Sequence, residues 1–367
     1  MKLFKCQNCG QMLYFENSWC ESCGRRLGYL PDIGILSAVV EDGAAWIAAA
    51  QPDFPYRFCA NWEAYACNWM VPATGSQAFC TACQHNKKIP DISDPEKHRL
   101  WQKLEVAKRR LFYTLIKLRL PMPAEASGDS EPLVFQFLAD PEDPDAEACD
   151  KVMTGHDNGV ITISLAEADD AERERMRTQM GEPYRTLLGH FRHEVGHYYW
   201  DKLVRDGGML NSFRALFGDE REDYQEALER HYAKSPNDSS WQQEGFVSSY
   251  ATSHAWEDWA ETWAHYLHIV DTLEMAGAFG IKVSPEVTDD PDLETAIDFD
   301  PHRVHAIATL VDAWLPLAYA VNSLNRSMGQ PDLYPFVLAP RAIEKLGYIH
   351  DLIHGFDPGS RVTPVNS

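Results

Sequence analysis

Apolar positions recur at helical spacing in the first third of the chain. Leu100, Leu104, Ala107, Leu111, Leu115 and Leu118 share one face. Asp94 followed by Pro95 is a helix-start signal, and Pro121 and Pro123 end the pattern, so a helix is predicted from Pro95 to about Leu120. Leu133–Leu138 reads as a strand. Lys151–His156 and Val160–Leu165 flank Asp157-Asn158-Gly159, a hairpin signal, with Ile161, Ile163 and Leu165 on one face. A helix is predicted from near Pro183 to Gly207-Gly208. A second carries Trp256, Trp259, Ala260, Trp263, Leu267 and Val270 as core contacts. Residues 301–325 and 340–353 read as further helices, and 358–367 as a flexible tail. The pattern therefore predicts an α+β protein: a small cysteine-rich region over 1–90, then a mainly helical domain with a small sheet over 91–357.

Hydrophobic content of 45% with 11 Trp in 367 residues marks a chain with a real core. The net charge of −22 is unevenly placed: zero over residues 1–90, +4 over 91–120 and −26 over 121–367. Such an acidic second part repels phosphate backbones, so nucleic acid is an unlikely partner. Lys108-Arg109-Arg110 is read as a solvated basic face. No apolar run reaches membrane-spanning length, so no membrane association is expected. Met1-Lys2-Leu3-Phe4-Lys5-Cys6 has no export-signal core, so a cytoplasmic location is the expectation.

Eight of the nine cysteines precede residue 84. Cys6-x2-Cys9 and Cys20-x2-Cys23, each pair closely followed by a glycine, have zinc-ribbon spacing. Cys59, Cys67, Cys80 and Cys83 suggest a second four-cysteine zinc site. Two sequential sites and an interleaved pairing both fit. His85 could replace one thiolate, although a surface role is the simpler reading. Cys149 reads as an unligated thiol. Four thiolates close a tetrahedral zinc and leave no open position, so both sites are read as structural.

A different kind of metal motif lies at Arg192-His193-Glu194-Val195-Gly196-His197-Tyr198. One helical turn separates His193 from His197, so both imidazoles leave the same face and can grip one ion. Glu194 is offset around the helix, where it can reach a water without being a ligand. This is a zinc-hydrolase arrangement. No third His follows His197 at close spacing. Glu257 and Glu261, one turn apart on the Trp-rich helix, can supply the third ligand and an orienting carboxylate, or can form an exposed acidic stripe. Asp201 rivals Glu261 for the orienting role. His265 and His268 continue the same helix and are read as non-ligands. Val160–Leu165 is a candidate strand edge for an extended substrate.

The pair H-E-x-x-H and E-x-x-x-E resembles the gluzincin metallopeptidases. Tyr250-Ala-Thr-Ser-His-Ala-Trp-Glu257 is similar to the zinc site of anthrax lethal factor. The resemblance implies Glu257 as zinc ligand, Glu261 as partner of a ligand His, and Tyr250 as an oxyanion stabiliser. Cys6–Cys23, Cys80–Cys83, Gly189–Asp201 and Trp256–His268 together resemble a bacterial family of zinc-binding metallopeptidases with an N-terminal zinc-ribbon region. That implies a gluzincin-like metallopeptidase domain after the ribbon region. Peptide or protein is the expected substrate, and the expected Zn2+ content is one catalytic and two structural ions. Glu194 is the expected general base, with a protein partner possible through the ribbon region. The alternative is a zinc-ribbon protein-binding adaptor whose peptidase fold is catalytically silent.

Overall fold

The N-terminal cysteines sit on tight turns. β1 (Phe4–Lys5) and β2 (Met12–Leu13) form a hairpin that carries the first pair. Gly10 and Gly24 have φ of 81° and 71°, which favours glycine. Their amides donate to Cys6 O (2.9 Å) and Cys20 O (2.8 Å) and close the two turns. An antiparallel meander follows: β3 (Arg26–Leu30), β4 (Ile35–Asp42), β5 (Ala45–Ala48), β6 (Pro55–Phe58) and β7 (Met70–Pro72). Leu30, Val39, Ala48, Tyr56 and Met70 form its core. The sequence pattern predicts no strand here. β3 and β4 bury continuous runs instead of alternate residues, which removes the period-two signal.

The computed structural model describes residues 2–141, 152–180, 186–233 and 240–356. It divides into two compact units, Met1–Arg173 and Glu174–Ser367. The first takes in the cysteine region together with β8 (Asn86–Lys88), α1 (Pro95–Leu118), β9 (Val134–Leu138), β10 (Gly155–Asp157) and β11 (Val160–Ser164). α1 starts as predicted: the Asp94 carboxylate accepts from the amides of Glu96 (2.8 Å) and Lys97 (3.2 Å). The hairpin turn forms at Asn158 and Gly159, both at positive φ. The sheet order is β10-β11-β9-β8, with β11 paired on both sides. β11 therefore has no free edge to receive a substrate strand, which overturns that expectation.

The basic cluster is also corrected. Lys108 is fully buried and Arg109 nearly so. Lys108 Nζ pairs with Glu105 Oε1 at 2.8 Å, the Arg109 guanidinium donates to Ala66 O, and Arg110 pairs with Glu16. Cys83 Sγ lies 3.7 Å from Glu105 Oε2. Lys108 and Arg109 thus face the interior beside the second cysteine cluster, while Arg110 stays partly exposed. His85 is likewise buried, with its Nδ1 2.6 Å from Leu133 O. Burial pushes its pKa down to about 4.

The unit boundary falls within α2 (Asp170–Met180). The second unit continues with α3 (Leu187–Tyr199), extended by a π-helical stretch Trp200–Arg205, then α4 (Leu210–Phe217), α5 (Tyr224–Tyr232) and α6 (Ser240–Glu244). α7 (Ala255–Phe279) is its axis, with Trp259, Trp263, Tyr266, Leu267, Val270 and Leu273 fully buried. α3, α8 (Ile307–Ser327) and α9 (Pro340–His354) pack on α7, and β12 (Lys282–Val283) pairs with β13 (Thr295–Ala296). By length and composition α8 could span a membrane, contrary to the expectation from the sequence. It instead buries Leu310, Val311, Trp314 and Leu317 in this unit. Strand-rich and helical parts together make the chain α+β. The predicted helix start at Pro183, Cys149 and the tail 358–367 lie outside the described residues.

Candidate metal centre

α3 and α7 cross closely because of a glycine. A Cβ at Gly196 would lie 3.1 Å from Ala260 Cα and 3.2 Å from Trp263 Cδ1. The Gly196 carbonyl instead accepts a hydrogen bond from the Trp259 indole at 2.8 Å. Arg192 pairs with Asp271 further along α7. Thr186 caps α3 through Gly189 N at 3.0 Å, and the His254 ring caps α7 through Trp256 N at 3.1 Å. Glu257 falls in the first turn of α7, where the helix dipole favours a carboxylate.

This packing brings His193, His197 and Glu257 together. His193 Nε2 lies 3.3 Å from His197 Nε2 and 2.9 Å from Glu257 Oε2, and His197 Nε2 lies 3.6 Å from that oxygen. A tetrahedral zinc with ligands at roughly 2.0–2.1 Å sets its ligand atoms about 3.3 Å apart, so the three donors fit the ion. Glu257 is almost fully buried, and its Oε2 accepts no well-formed hydrogen bond despite the nearby imidazoles. This oxygen and the two Nε2 atoms form one close donor set. Burial alone would lower the His193 pKa, but the Glu257 and Glu261 carboxylates outweigh it and hold it well above the usual imidazole range. Burial alone would raise Glu257, but His197 and His193 hold it well below the carboxylate range. Both shifts come from opposite charges held at close range, an arrangement that suits a cation.

The surrounding contacts orient these donors. Glu261 Oε1 accepts from His193 Nδ1 at 2.8 Å, which fixes the tautomer with the Nε2 lone pair facing the centre. Ser248 Oγ donates to Glu261 Oε2 at 2.6 Å. Asp201, the rival for this role, accepts from Arg205 at 2.9 Å. Tyr224 on α5 donates to Glu257 Oε1 at 2.8 Å. The Tyr250 ring lies 5.9 Å from the His193 ring. Burial, then Glu257, pushes both phenols far up, so both keep their protons. Glu194 is half-buried on α3 beside His193. His265 bonds Tyr334 OH at 2.6 Å and is not one of the converging donors. Sequence reasoning missed Tyr224 and Ser248. Neither carries a spacing signal, since each reaches the site only through tertiary packing.

In the first unit the cysteines form two sequential clusters, Cys6, Cys9, Cys20, Cys23 and Cys59, Cys67, Cys80, Cys83. Sulfur separations of 3.8 Å (Cys6–Cys23), 3.5 Å (Cys9–Cys20) and 3.7 Å (Cys67–Cys80) exclude disulfides. They fit the roughly 3.8 Å spacing of thiolates on a tetrahedral zinc with Zn–S of about 2.3 Å. A further set is Asp271, Glu274 and His302; Asp271 is held by the buried Arg192, and His302 lies 3.8 Å from Asp271 and 4.0 Å from Glu274, which reads as charge compensation.

Comparison with known proteins also points to zinc. A zinc-ribbon domain model matches residues 3–94, and a family described as "Putative zinc-binding metallo-peptidase" matches residues 97–352. Uncharacterized proteins of Mycobacterium bovis and Mycobacterium tuberculosis are 42% identical over 359 residues, covering 98% of this chain and 97% of theirs. No solved structure matches. With that family match spanning most of its length and a zinc ribbon at its front, the chain belongs to this zinc-binding metallopeptidase family.

Proposed function

We propose that the protein is a zinc-dependent metallopeptidase of the gluzincin type. Three donor atoms converging at tetrahedral spacing beside a Glu261-bound imidazole carry this reading. When bound, zinc supplies a Lewis acid and brings the pKa of a water to about 7. Glu194, next to His193 on α3, takes the proton of the attacking water and passes it to the leaving amine. Glu261, held by Ser248, keeps His193 in the ligating tautomer. Tyr250 is the proposed donor to the oxyanion of the tetrahedral adduct, as the resemblance to anthrax lethal factor implies.

The proposed zinc content is three ions per chain, two on the cysteine clusters and one exchangeable. The proposed substrate is a peptide or protein in the cytoplasm. A peptide library incubated with and without chelator tests the activity. Glu194→Gln is expected to keep the metal and abolish cleavage. Cleavage that survives in that variant refutes the mechanism, and zinc-loaded wild type inert on all peptides favours the adaptor reading.

A further inference from the structure

A carboxylate can hold a metal through one oxygen or two. The difference decides whether a site with two imidazoles keeps a fourth position open. In Glu257 the two oxygens are differently engaged. Oε2 faces His193 Nε2 and His197 Nε2, whereas Oε1 accepts the Tyr224 phenol at 2.8 Å. With the Glu257 side chain 3% exposed, water cannot readily take the phenol's place. Tyr224 itself is well anchored. It opens α5, directly after Asp223, whose carboxylate accepts from Glu226 N at 2.9 Å. Its ring sits edge-on to His254 at 5.3 Å. His254 is in turn tied at both ring nitrogens, to Trp256 N at 3.1 Å and to Glu222 O at 3.2 Å. An ionised carboxylate only accepts, so Tyr224 spends its proton on Glu257.

We propose that Tyr224 is a positioning residue: its phenol holds Glu257 as a one-oxygen ligand and so keeps one coordination position of the metal centre open. This rests on reading the site as a catalytic zinc centre. It adds a residue that neither the H-E-x-x-H motif nor the Glu257 motif contains. Removing the phenol frees Oε1 to swing toward the ion, which raises the coordination number and fills the position the attacking water needs.

The test uses the full chain, with the exchangeable metal replaced by Co2+ and the cysteine sites left loaded with zinc. Wild type is expected to show the intense visible absorption of four-coordinate Co2+. Tyr224→Phe is expected to show the weaker absorption of a higher coordination number, with affinity for the exchangeable metal lower by about tenfold, as for losses of other ligand-orienting contacts. Tyr250→Phe leaves the Tyr224–Glu257 bond in place and is expected to keep the wild-type spectrum. An unchanged spectrum and affinity in Tyr224→Phe overturns the proposal, as does an equal change in Tyr250→Phe. A higher-coordinate spectrum in the wild type overturns it without any variant. If no peptide is cleaved but the Tyr224→Phe spectrum shifts, the peptidase reading fails and the positioning role stands. If zinc-dependent cleavage is seen but the Tyr224→Phe spectrum is unaltered, the positioning role fails and the peptidase reading stands.

Discussion

Gly196→Ala tests whether helix approach sets the metal geometry. The added methyl would sit 3.1 Å from Ala260 Cα and 3.2–3.3 Å from two Trp263 carbons. Carbon pairs settle at roughly 3.5–4.0 Å, so α7 must retreat by about 0.4 Å or more. The nearest obstacle is backbone, which cannot rotate away. Two effects oppose each other. Alanine improves helix propensity by about 1 kcal/mol, while overpacking a buried contact costs about 1–3 kcal/mol. The net expectation is a loss of roughly 1 kcal/mol, or about 2–4 °C in melting temperature for a unit of this size. The effect on the metal is larger. His193 and His197 ride on α3 and Glu257 on α7, and ligand distances tolerate only about 0.2 Å. Zinc affinity at this site is expected to fall at least tenfold, by analogy with lost orienting contacts at about 10–100-fold. Competition against a chromophoric chelator measures the affinity, and thermal unfolding of the metal-free protein measures the stability. Unchanged zinc affinity together with an unchanged melting temperature would refute the claim that Gly196 sets the distance.

Three further outcomes are expected. Burial raises Asp258 from 3.8 to about 7 despite its ion pair with Lys345 at 2.7 Å. A carboxyl whose folded pKa is raised contributes stability below its unfolded value and loses it as pH rises toward the folded one. Unfolding free energy should therefore fall by about 2 kcal/mol from pH 5 to pH 7 and level off above that, with the slope reduced in Asp258→Asn; an equal slope in the variant excludes this source. The two cysteine clusters should release zinc in order: Cys9 is exposed and Cys23 half-exposed, whereas Cys59, Cys67, Cys80 and Cys83 are all buried. Two chelator-release phases are expected, with thiol labelling of Cys9 and Cys23 tracking the faster one; labelling of the second cluster first contradicts the assignment. Lys108→Met leaves Glu105 buried without its ion pair and should cost about 3–5 kcal/mol, with Glu105→Gln in the same chain restoring part of the loss. A near-neutral single variant would show that this pair is not what holds α1.

The parts of the site that were legible in the sequence lie within single helices. His193 and His197 share a face by their spacing. Glu257 and Glu261 do so on a helix otherwise too apolar to carry acids without a reason. Cysteine spacing carried the ribbon clusters in the same way, although their division into sequential sets needed the fold. What the sequence did not disclose is tertiary. Tyr224 and Ser248 are lone polar residues on a short helix and a loop, and only folding brings them to Glu257 and Glu261. Lys108 and Arg109 looked like a solvated face because a basic triplet usually is one; the cysteines and Glu105 that surround them are far from obvious in a linear chain. The five-stranded meander was missed because its buried runs do not alternate. Val160–Ser164 was read correctly as a strand, but its pairing on both sides depends on partners at Gly155–Asp157 and Val134–Leu138.

The burial of Lys108 and Arg109 beside four thiols has a consequence for biosynthesis. A cysteine cluster loaded with zinc is a dianion, and empty it is mostly neutral thiol. Without the ion, two buried cations face Glu105 alone, and an uncompensated buried charge costs several kcal/mol. The helix that carries them is α1, whose apolar stripe completes the first unit's interior. N-terminal segments leave the ribosome first. Docking of α1 thus waits on metal already captured by the cysteines ahead of it, so a zinc-starved cell would leave that stripe exposed to degradation before the second unit is finished.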